Sequence, residues 1–314
     1  MTPTSSHIRH HAPTGTVRNQ IYVSRLPPEL YRYVIQNITA QPDLVSLCIT
    51  SRSIRDEAER ILYYDIDLHR SNTTQLQSWS TTVASCPRRA ALVRRLCLPS
   101  TEGPKLTFNG VENVFESMLR ALEAVSNVKE LTIRPHSLST CLIQYCYYLA
   151  KGIRNYSFRL RKFHVEGDFL LFGSNPVAFL ASQPDIRDWK SGGLVDVIRN
   201  PPASLLPRLD VVQYAYHSYY SDHDMLRHIT SRPNMERIRI DLDMALGVED
   251  VYSVVGTLRS CQQTLTHFHL SSCRSDAFMP WSPVELISFL ADHTRVLKFV
   301  RYSVTMDYVG HVRH

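Results

Sequence analysis

Glycine is scarce, with 11 in 314 residues. Phosphate-cradling loops need glycine where the backbone meets the ligand, and neither a Walker-type loop nor a dinucleotide fingerprint occurs. The seven cysteines (Cys48, Cys86, Cys97, Cys141, Cys146, Cys261 and Cys273) include no Cys-x-x-Cys pair, so zinc-finger spacing is absent. Their odd number and scatter predict reduced, buried and inert thiols, as in a cytoplasmic or nuclear protein. No run reaches the roughly 20 apolar residues of a membrane span. Residues 1–20 lack the apolar run of a secretory signal and hold Pro3, His7, His10, His11, Pro13 and Gly15, which predicts a disordered lead-in. The net charge of +6 and pI near 8.9 are mild. Arginine is spread along the chain, and its densest group, Arg88–Arg89 with Arg94–Arg95, reads as a solvated face. Neither a nucleic-acid nor a membrane partner is therefore expected.

What is present is an ordinary globular balance, 44% hydrophobic and 20% charged. Over residues 21–68 the apolar residues fall into short helices. Pro27-Pro28 suits a first helical turn, where the missing N–H would be unpaired anyway. Leu30, Val34 and Ile38 then recur at helical spacing, widened by Tyr31 and Ile35. Asp43 is placed to cap a second helix carrying Leu44, Leu47 and Cys48. A third begins near Ser53. It turns Ile54, Ala58, Ile61 and Leu62 inward and Arg52, Arg55, Asp56, Glu57, Glu59 and Arg60 outward. Tyr63–Leu68 switches to period two and predicts a strand. Three helices in about 40 residues make too small a core to stand alone and need a partner surface.

These residues resemble the F-box family. Leu26, Pro27, Glu29 and Leu30 match its opening, Asp43, Leu44 and Leu47 its middle, and Thr50-Ser51-Arg52 with Arg55 its third block. Tyr63 and Tyr64 stand where the family has a terminal Trp. The resemblance covers about 40 residues of the chain. It implies docking onto the small adaptor subunit of an SCF-type ubiquitin ligase, and through it a cullin. Leu26, Pro27, Pro28, Leu30, Ile35, Leu44 and Leu47 would then form the adaptor contact. The alternative is that these helices only cap the remainder of the chain.

Beyond residue 69 a six-residue pattern, apolar-x-x-apolar-x-apolar, recurs. Its middle positions are Leu96, Leu131, Phe163, Trp189, Leu209, Ile238, Phe268 and Phe299, spaced 35, 32, 26, 20, 29, 30 and 31 apart. Helical stretches lie between, at 111–125, 138–153, 250–261 and 283–293. Strand–helix alternation predicts an α/β fold in which a parallel sheet carries outer helices and neighbouring repeats stack as a solenoid. The array resembles the leucine-rich repeats often joined to F-boxes, without their usual Asn or Cys and with Phe, Trp and Ile in Leu positions. The predicted division is a disordered segment 1–20, a helical module 21–68 and a repeat domain 69–314.

Alternation along each strand predicts that Arg95, Glu130, Arg134, Lys162, His164, Glu166, Lys190, Arg208, Asp210, Arg237, Arg239, Asp241, His267, His269 and Lys298 line the concave sheet face. That face mixes both signs with a basic excess, which suits a weakly acidic protein partner. For any single residue, plain solvation explains the charge equally well. Tyr214 and Tyr216 open a tyrosine-rich loop, 214–220, that could anchor a partner. The His217, Asp222, His223, Asp224 and His228 group lacks the spacing of a metal site, and Cys141 and Cys146 read as core. No nucleophile elbow or paired carboxylate stands out, so no catalytic residue, metal or cofactor is expected. The expected function is that of a non-enzymatic substrate receptor of an SCF-type ligase. The alternative is a ligase-independent repeat scaffold.

Overall fold

The structure, a computed structural model, describes residues 27–98, 108–134, 156–165, 176–191, 204–216, 234–242, 258–261, 263–272 and 298–304, with positions 202, 228, 232 and 288. Three helices open it: α1 (Pro28–Gln36), α2 (Gln41–Leu47) and α3 (Arg52–Tyr64). Pro27 precedes α1 in extended backbone, and its carbonyl accepts from the Leu30 amide at 2.9 Å. Asp43 lies inside the first turn of α2, whose N-cap is Ala40. Ser51 caps α3, its hydroxyl accepting from the Ile54 amide at 3.4 Å, so that helix starts one residue before Ser53, at Arg52.

Helix α3 runs through Tyr64 and passes directly into β1 (Asp65–Asp67), later than the period-two pattern predicted. The chain continues with α4 (Thr73–Ser85), α5 (Pro87–Ala90), β2 (Arg95–Leu98), α6 (Phe108–Ala124), β3 (Glu130–Ile133) and β4 (Lys162–Val165). Then come α7 (Pro176–Ser182), β5 (Asp188–Ser191), β6 (Val211–Tyr216), β7 (Arg237–Leu242), a 3-10 turn at Leu258–Cys261, β8 (His267–Ser272) and β9 (Phe299–Val304). Helix α4 has no strong apolar stripe to announce it. Its local signal is a capping box, in which Asn72 accepts from the Gln75 amide and Gln75 accepts from the Asn72 amide, both at 2.9 Å. The predicted helix at 138–153 lies outside the described residues.

The nine strands form one sheet in chain order, every neighbour parallel. Six of the eight steps share one junction. The carbonyl one residue before a strand accepts two successive amides of the next repeat. Arg94 takes Lys129 and Glu130 at 2.8 and 3.1 Å, Lys129 takes Arg161 and Lys162 at 2.7 and 3.0 Å, and Glu236 takes Thr266 and His267 at 2.9 and 3.1 Å. Arg161, Arg187 and Asp210 do the same. This recurrence is what makes the fold solenoid-like, since each unit is held by its neighbours.

One ladder runs across the sheet through Ile66, Leu96, Leu131, Phe163, Trp189, Val212, Ile238, Phe268 and Val300. Three residues before it in each repeat, Val93, Val128, Leu160, Ile186, Leu209, Met235 and Leu265 are all buried. Leu209 is thus the first apolar position of its repeat, and Val212 the middle one. In the last repeat Val300, not Phe299, takes the middle. Both errors come from apolar doublets, Val211-Val212 and Phe299-Val300, which satisfy the pattern in two registers. The two corrections replace the spacings 20, 29 and 31 by 23, 26 and 32, so the array is more even than the sequence pattern indicated.

Polar side chains tie the turns between repeats. Asn127 Nδ2 donates to the Ala91 carbonyl at 2.8 Å, and Thr264 Oγ1 to that of Met235 at 2.8 Å. Gln183, buried, accepts from the Leu160 amide at 2.9 Å and donates to the Phe158 carbonyl at 3.3 Å. Each satisfies a backbone group that the turn leaves without a ladder partner.

Candidate functional site

Two surfaces stand out. The first lies on the opening helices. Among the described residues, the exposed large apolar side chains are Leu30, Tyr33, Val34, Val45, Ile49 and Tyr64, and all fall before the sheet begins. Leu30, Tyr33 and Val34 share one face of α1, and Val45 and Ile49 are one turn apart at the end of α2. The opposite face of α1 packs inward through Tyr31, Ile35 and Ile38, against Leu44, Leu47, Ala58, Ile61 and Leu62. The inward stripe is therefore 31/35/38 rather than 30/34/38. Of the residues assigned to an adaptor contact, Pro27 and Leu30 are exposed, Leu47 is half-buried, and Ile35 and Leu44 lie in the helical core. Pro28 is the first residue of α1. Leu26 lies outside the described residues.

Where these helices meet the array, Glu59 is 2% exposed, although its helical position predicted an outward side chain. Arg88 and Arg89 of α5, expected on a solvated face, both bond it, Arg89 Nη2 at 2.9 Å and Arg88 at shorter range. Arg88 Nη1 also reaches Asp56 at 2.6 Å, and the Arg89 guanidinium lies 5.6 Å from the centre of the Tyr63 ring. Burial, with the Glu59 charge adding to it, pushes the thiol of Cys48 up and keeps it inert.

The second surface is the sheet face opposite the core. Its first row reads Asp65, Arg95, Glu130, Lys162, Asp188, Val211, Arg237, His267 and Phe299, and its second Asp67, Cys97, Thr132, His164, Lys190, Gln213, Arg239, His269 and Arg301. From β1 to β5 the first row alternates in sign. Arg95 lies 3.7 Å from Asp65 and 3.2 Å from Glu130, and Lys162 lies 3.5 Å from Asp188. His164 Nε2 meets Asp188 Oδ1 at 2.9 Å. Partial burial pushes the Asp188 carboxyl up, but the hydrogen bond and charge of His164, with Lys162, outweigh it and hold the group below the usual carboxylate range. Cys97, the nearest thiol in the His164 row, is two strands away, about 10 Å. Nucleophile activation needs contact near 3 Å, so Cys97 is out of reach of the His164 imidazole.

From β6 to β9 the same two rows hold Arg237, Arg239 and Arg301, all exposed, with His267 and His269 half-buried, and Asp241, also expected on this face, follows two residues after Arg239 in β7, in register with Ala215 and Ser271. Of the other residues expected on this face, Lys162, His164 and Lys190 lie in the two rows, and Arg134 follows β3 half-buried. Arg208 does not belong to either row. It sits in the turn before β6, paired with Asp185, because the register starts at Val211. Asp210 and Lys298 occupy the junction position one residue before their strands. Glu166 lies outside the described residues. Tyr214 and Tyr216 belong to β6, in register with Ile240 and Leu242, so the predicted loop is strand at its start, while 217–220 lie outside the described residues.

His228 lies against Arg232 and the Leu205 carbonyl, and His217, Asp222, His223 and Asp224 lie outside the described residues. The Nε2 of His228 lies 2.7 Å from Arg232 Nη2, which can only donate, and 3.3 Å from the carbonyl of Leu205, which can only accept. Burial pushes its pKa below the ordinary histidine value, with the hydrogen bond to the Leu205 carbonyl opposing the shift and the Arg232 charge adding to it. Arg232 is itself buried and donates to the carbonyl of Leu206, which has a positive φ of 53°. Its role is to hold that turn. Among the described residues, no helix is long and apolar enough to cross a membrane, and no three His, Cys, Asp or Glu side chains gather as metal ligands would. Compared with known proteins, the chain matches no family model, and no curated protein matches it significantly in sequence.

Proposed function

We propose that this chain is the substrate-recognition subunit of an SCF-type cullin ubiquitin ligase, docking the adaptor through α1 and α2 and a protein substrate through the sheet face. The observation that carries this reading is the confinement of exposed large apolar residues, among the described ones, to the opening helices. Apolar side chains left in water on a three-helix unit are what a partner surface requires. Leu30 belongs to the contact that the F-box resemblance implies. Tyr33, Val34, Val45 and Ile49 extend it, replacing the buried Ile35 and Leu44. Transfer chemistry would lie in the partner proteins, and this chain would supply positioning alone.

The test is co-purification of the full chain with the adaptor and a cullin, beside a Leu30→Asp, Val34→Asp variant. Both positions are exposed, so the variant keeps its thermal midpoint, and the adaptor is lost from the eluate. Retained adaptor in the variant overturns the docking assignment. Absence of adaptor and cullin from the wild-type eluate makes the protein a ligase-independent repeat scaffold.

A further inference from the structure

We infer that the edge where the strands begin is a docking ridge for a polypeptide segment whose charge changes sign. Its acidic block lies on Arg94, Lys129, Arg161 and Arg187, and the basic block that follows lies on Asp210 and Glu236. The inference holds for a ligase receptor and for a free-standing scaffold alike. These six residues occupy the junction position one residue before β2 to β7. Each donates its amide to the carbonyl of the one before: Lys129 to Arg94, Arg161 to Lys129, Arg187 to Arg161, Asp210 to Arg187 and Glu236 to Asp210, at 2.7 to 3.0 Å. They are therefore direct neighbours on successive repeats, about 4.8 Å apart.

The carboxylates nearest in sequence to these cations are engaged elsewhere. Glu130 pairs with Arg95 at 3.2 Å, Asp188 with Lys162 at 3.5 Å and with His164 at 2.9 Å, and Asp185 with Arg208 at 2.5 Å. Among the described residues, Lys129, Arg161 and Arg187 form no ion pair. Arg94 donates only to the carbonyls of Ala91 and Val93, at 2.6 and 3.2 Å, and so keeps its charge uncompensated. Like charges on adjacent strands repel, and an acidic segment relieves that repulsion. Asp210 and Glu236 repeat the situation with the other sign. Burial, and then the Glu236 charge, push the Asp210 carboxyl up, and Arg187, at the boundary, opposes them.

The change of sign decides the class of partner. A nucleic acid is negative throughout, so one laid along Arg94 to Arg187 would meet Asp210 and Glu236 on the next two repeats. A polypeptide can reverse its charge. The four cations span three steps, about 14 Å, and the whole ridge five, about 24 Å, the length of about seven extended residues.

The test uses the full chain and a fluorescein-labelled peptide, Glu-Asp-Glu-Glu-Gly-Lys-Lys, followed by anisotropy. Arg161→Glu with Arg187→Glu weakens binding by about tenfold or more, while Lys298→Glu, at the junction position two repeats beyond Glu236, changes it by less than about twofold. Both arginines are exposed, so the melting temperature stays. Should it fall, the Arg→Gln versions at the same two positions serve instead, with a loss of at least about threefold. An all-acidic peptide, with glutamates for the two lysines, binds the wild type at least about threefold more weakly, and Glu236→Lys reverses that order. Equal binding by the Arg161, Arg187 variant, or equal binding of the two peptides to the wild type, overturns the inference. So does a single-stranded oligonucleotide of about seven nucleotides that binds as tightly as the mixed-charge peptide, or no binding of that peptide to the wild type at about 1 mM.

Discussion

The opening helices and the sheet array bury apolar surface by different means. The array has one continuous core from Leu68 to Leu270, renewed at every repeat by the same buried ladder positions. The helical unit has a core of Ile35, Leu44 and Ala58, completed by half-buried neighbours, and it leaves apolar side chains in water. A solenoid unit finds its missing surface in the next repeat, whereas α1 and α2 have only α3 to pack on. The difference teaches that stability and binding are separated along the chain. The array is satisfied from within, and the helices are built to be completed from outside.

What joins them is the buried Glu59 carboxylate, and breaking that joint carries the largest expected effect. Arg88→Ala with Arg89→Ala strands a charge that is 2% exposed, which costs about 3–5 kcal/mol in chemical denaturation. Glu59→Ala costs less, about 1–2 kcal/mol, because the two guanidinium groups are 51% and 36% exposed and rehydrate. Equal losses would mean that the joint is held by packing rather than by charge. In the double variant the helical unit should also unfold at lower denaturant than the array, giving two transitions where a single one is expected of the wild type.

Within the helical unit, inward and outward residues of the same helix should separate cleanly. Ile35→Ala removes a core side chain and lowers stability by about 2–4 kcal/mol. Val34→Ala, one residue away and 57% exposed, changes it by no more than about 0.5 kcal/mol. A large loss at Val34 in the isolated protein would show that this face is already covered. In the array the corresponding weak point is polar. Gln183→Leu leaves the Leu160 amide and the Phe158 carbonyl without their partner, at about 1–3 kcal/mol.

The array was legible because its signal repeats. A residue that is buried in the same register in successive repeats reinforces one reading, and only the doublets Val211-Val212 and Phe299-Val300 admitted a second. A one-residue slip moves a strand's side chains to the other face, which is why the sequence pattern puts Phe299 inward and Lys298 outward when the register sets Phe299 beside His267. Helical periodicity failed at Glu59 for another reason. Its position on α3 marks it as outward, and only the fold shows that α5 covers that side with two arginines. The same holds for Ile35 and Leu44. The F-box resemblance names them as apolar, but which apolar residues stay in water is a property of how α1 and α2 lean on α3. The bridging Asn127, Gln183 and Thr264 carried no common residue type to search for, since an amide and a hydroxyl serve the same turn carbonyls.

The smallest expected effect sharpens the comparison by pH. The helical stretch 27–64 contains no histidine, whereas the array half-buries His228 between Arg232 and the Leu205 carbonyl. A folded pKa held below the unfolded value of 6.5 means that the unfolded chain takes up a proton first. The contribution of His228 is thus complete above pH 6.5 and is lost as pH falls from there through its lower folded value. The array's unfolding midpoint should therefore drop over that window, and His228→Asn should flatten part of the drop, because asparagine can still accept from Arg232 but does not titrate. The helical unit, observed through Tyr33 and Tyr31 in the Arg88→Ala, Arg89→Ala background, should show no change over the same window. A matching drop in both units would place the acid sensitivity at the joint. An unchanged array midpoint would mean that Arg232 holds the Leu206 turn without help from the imidazole.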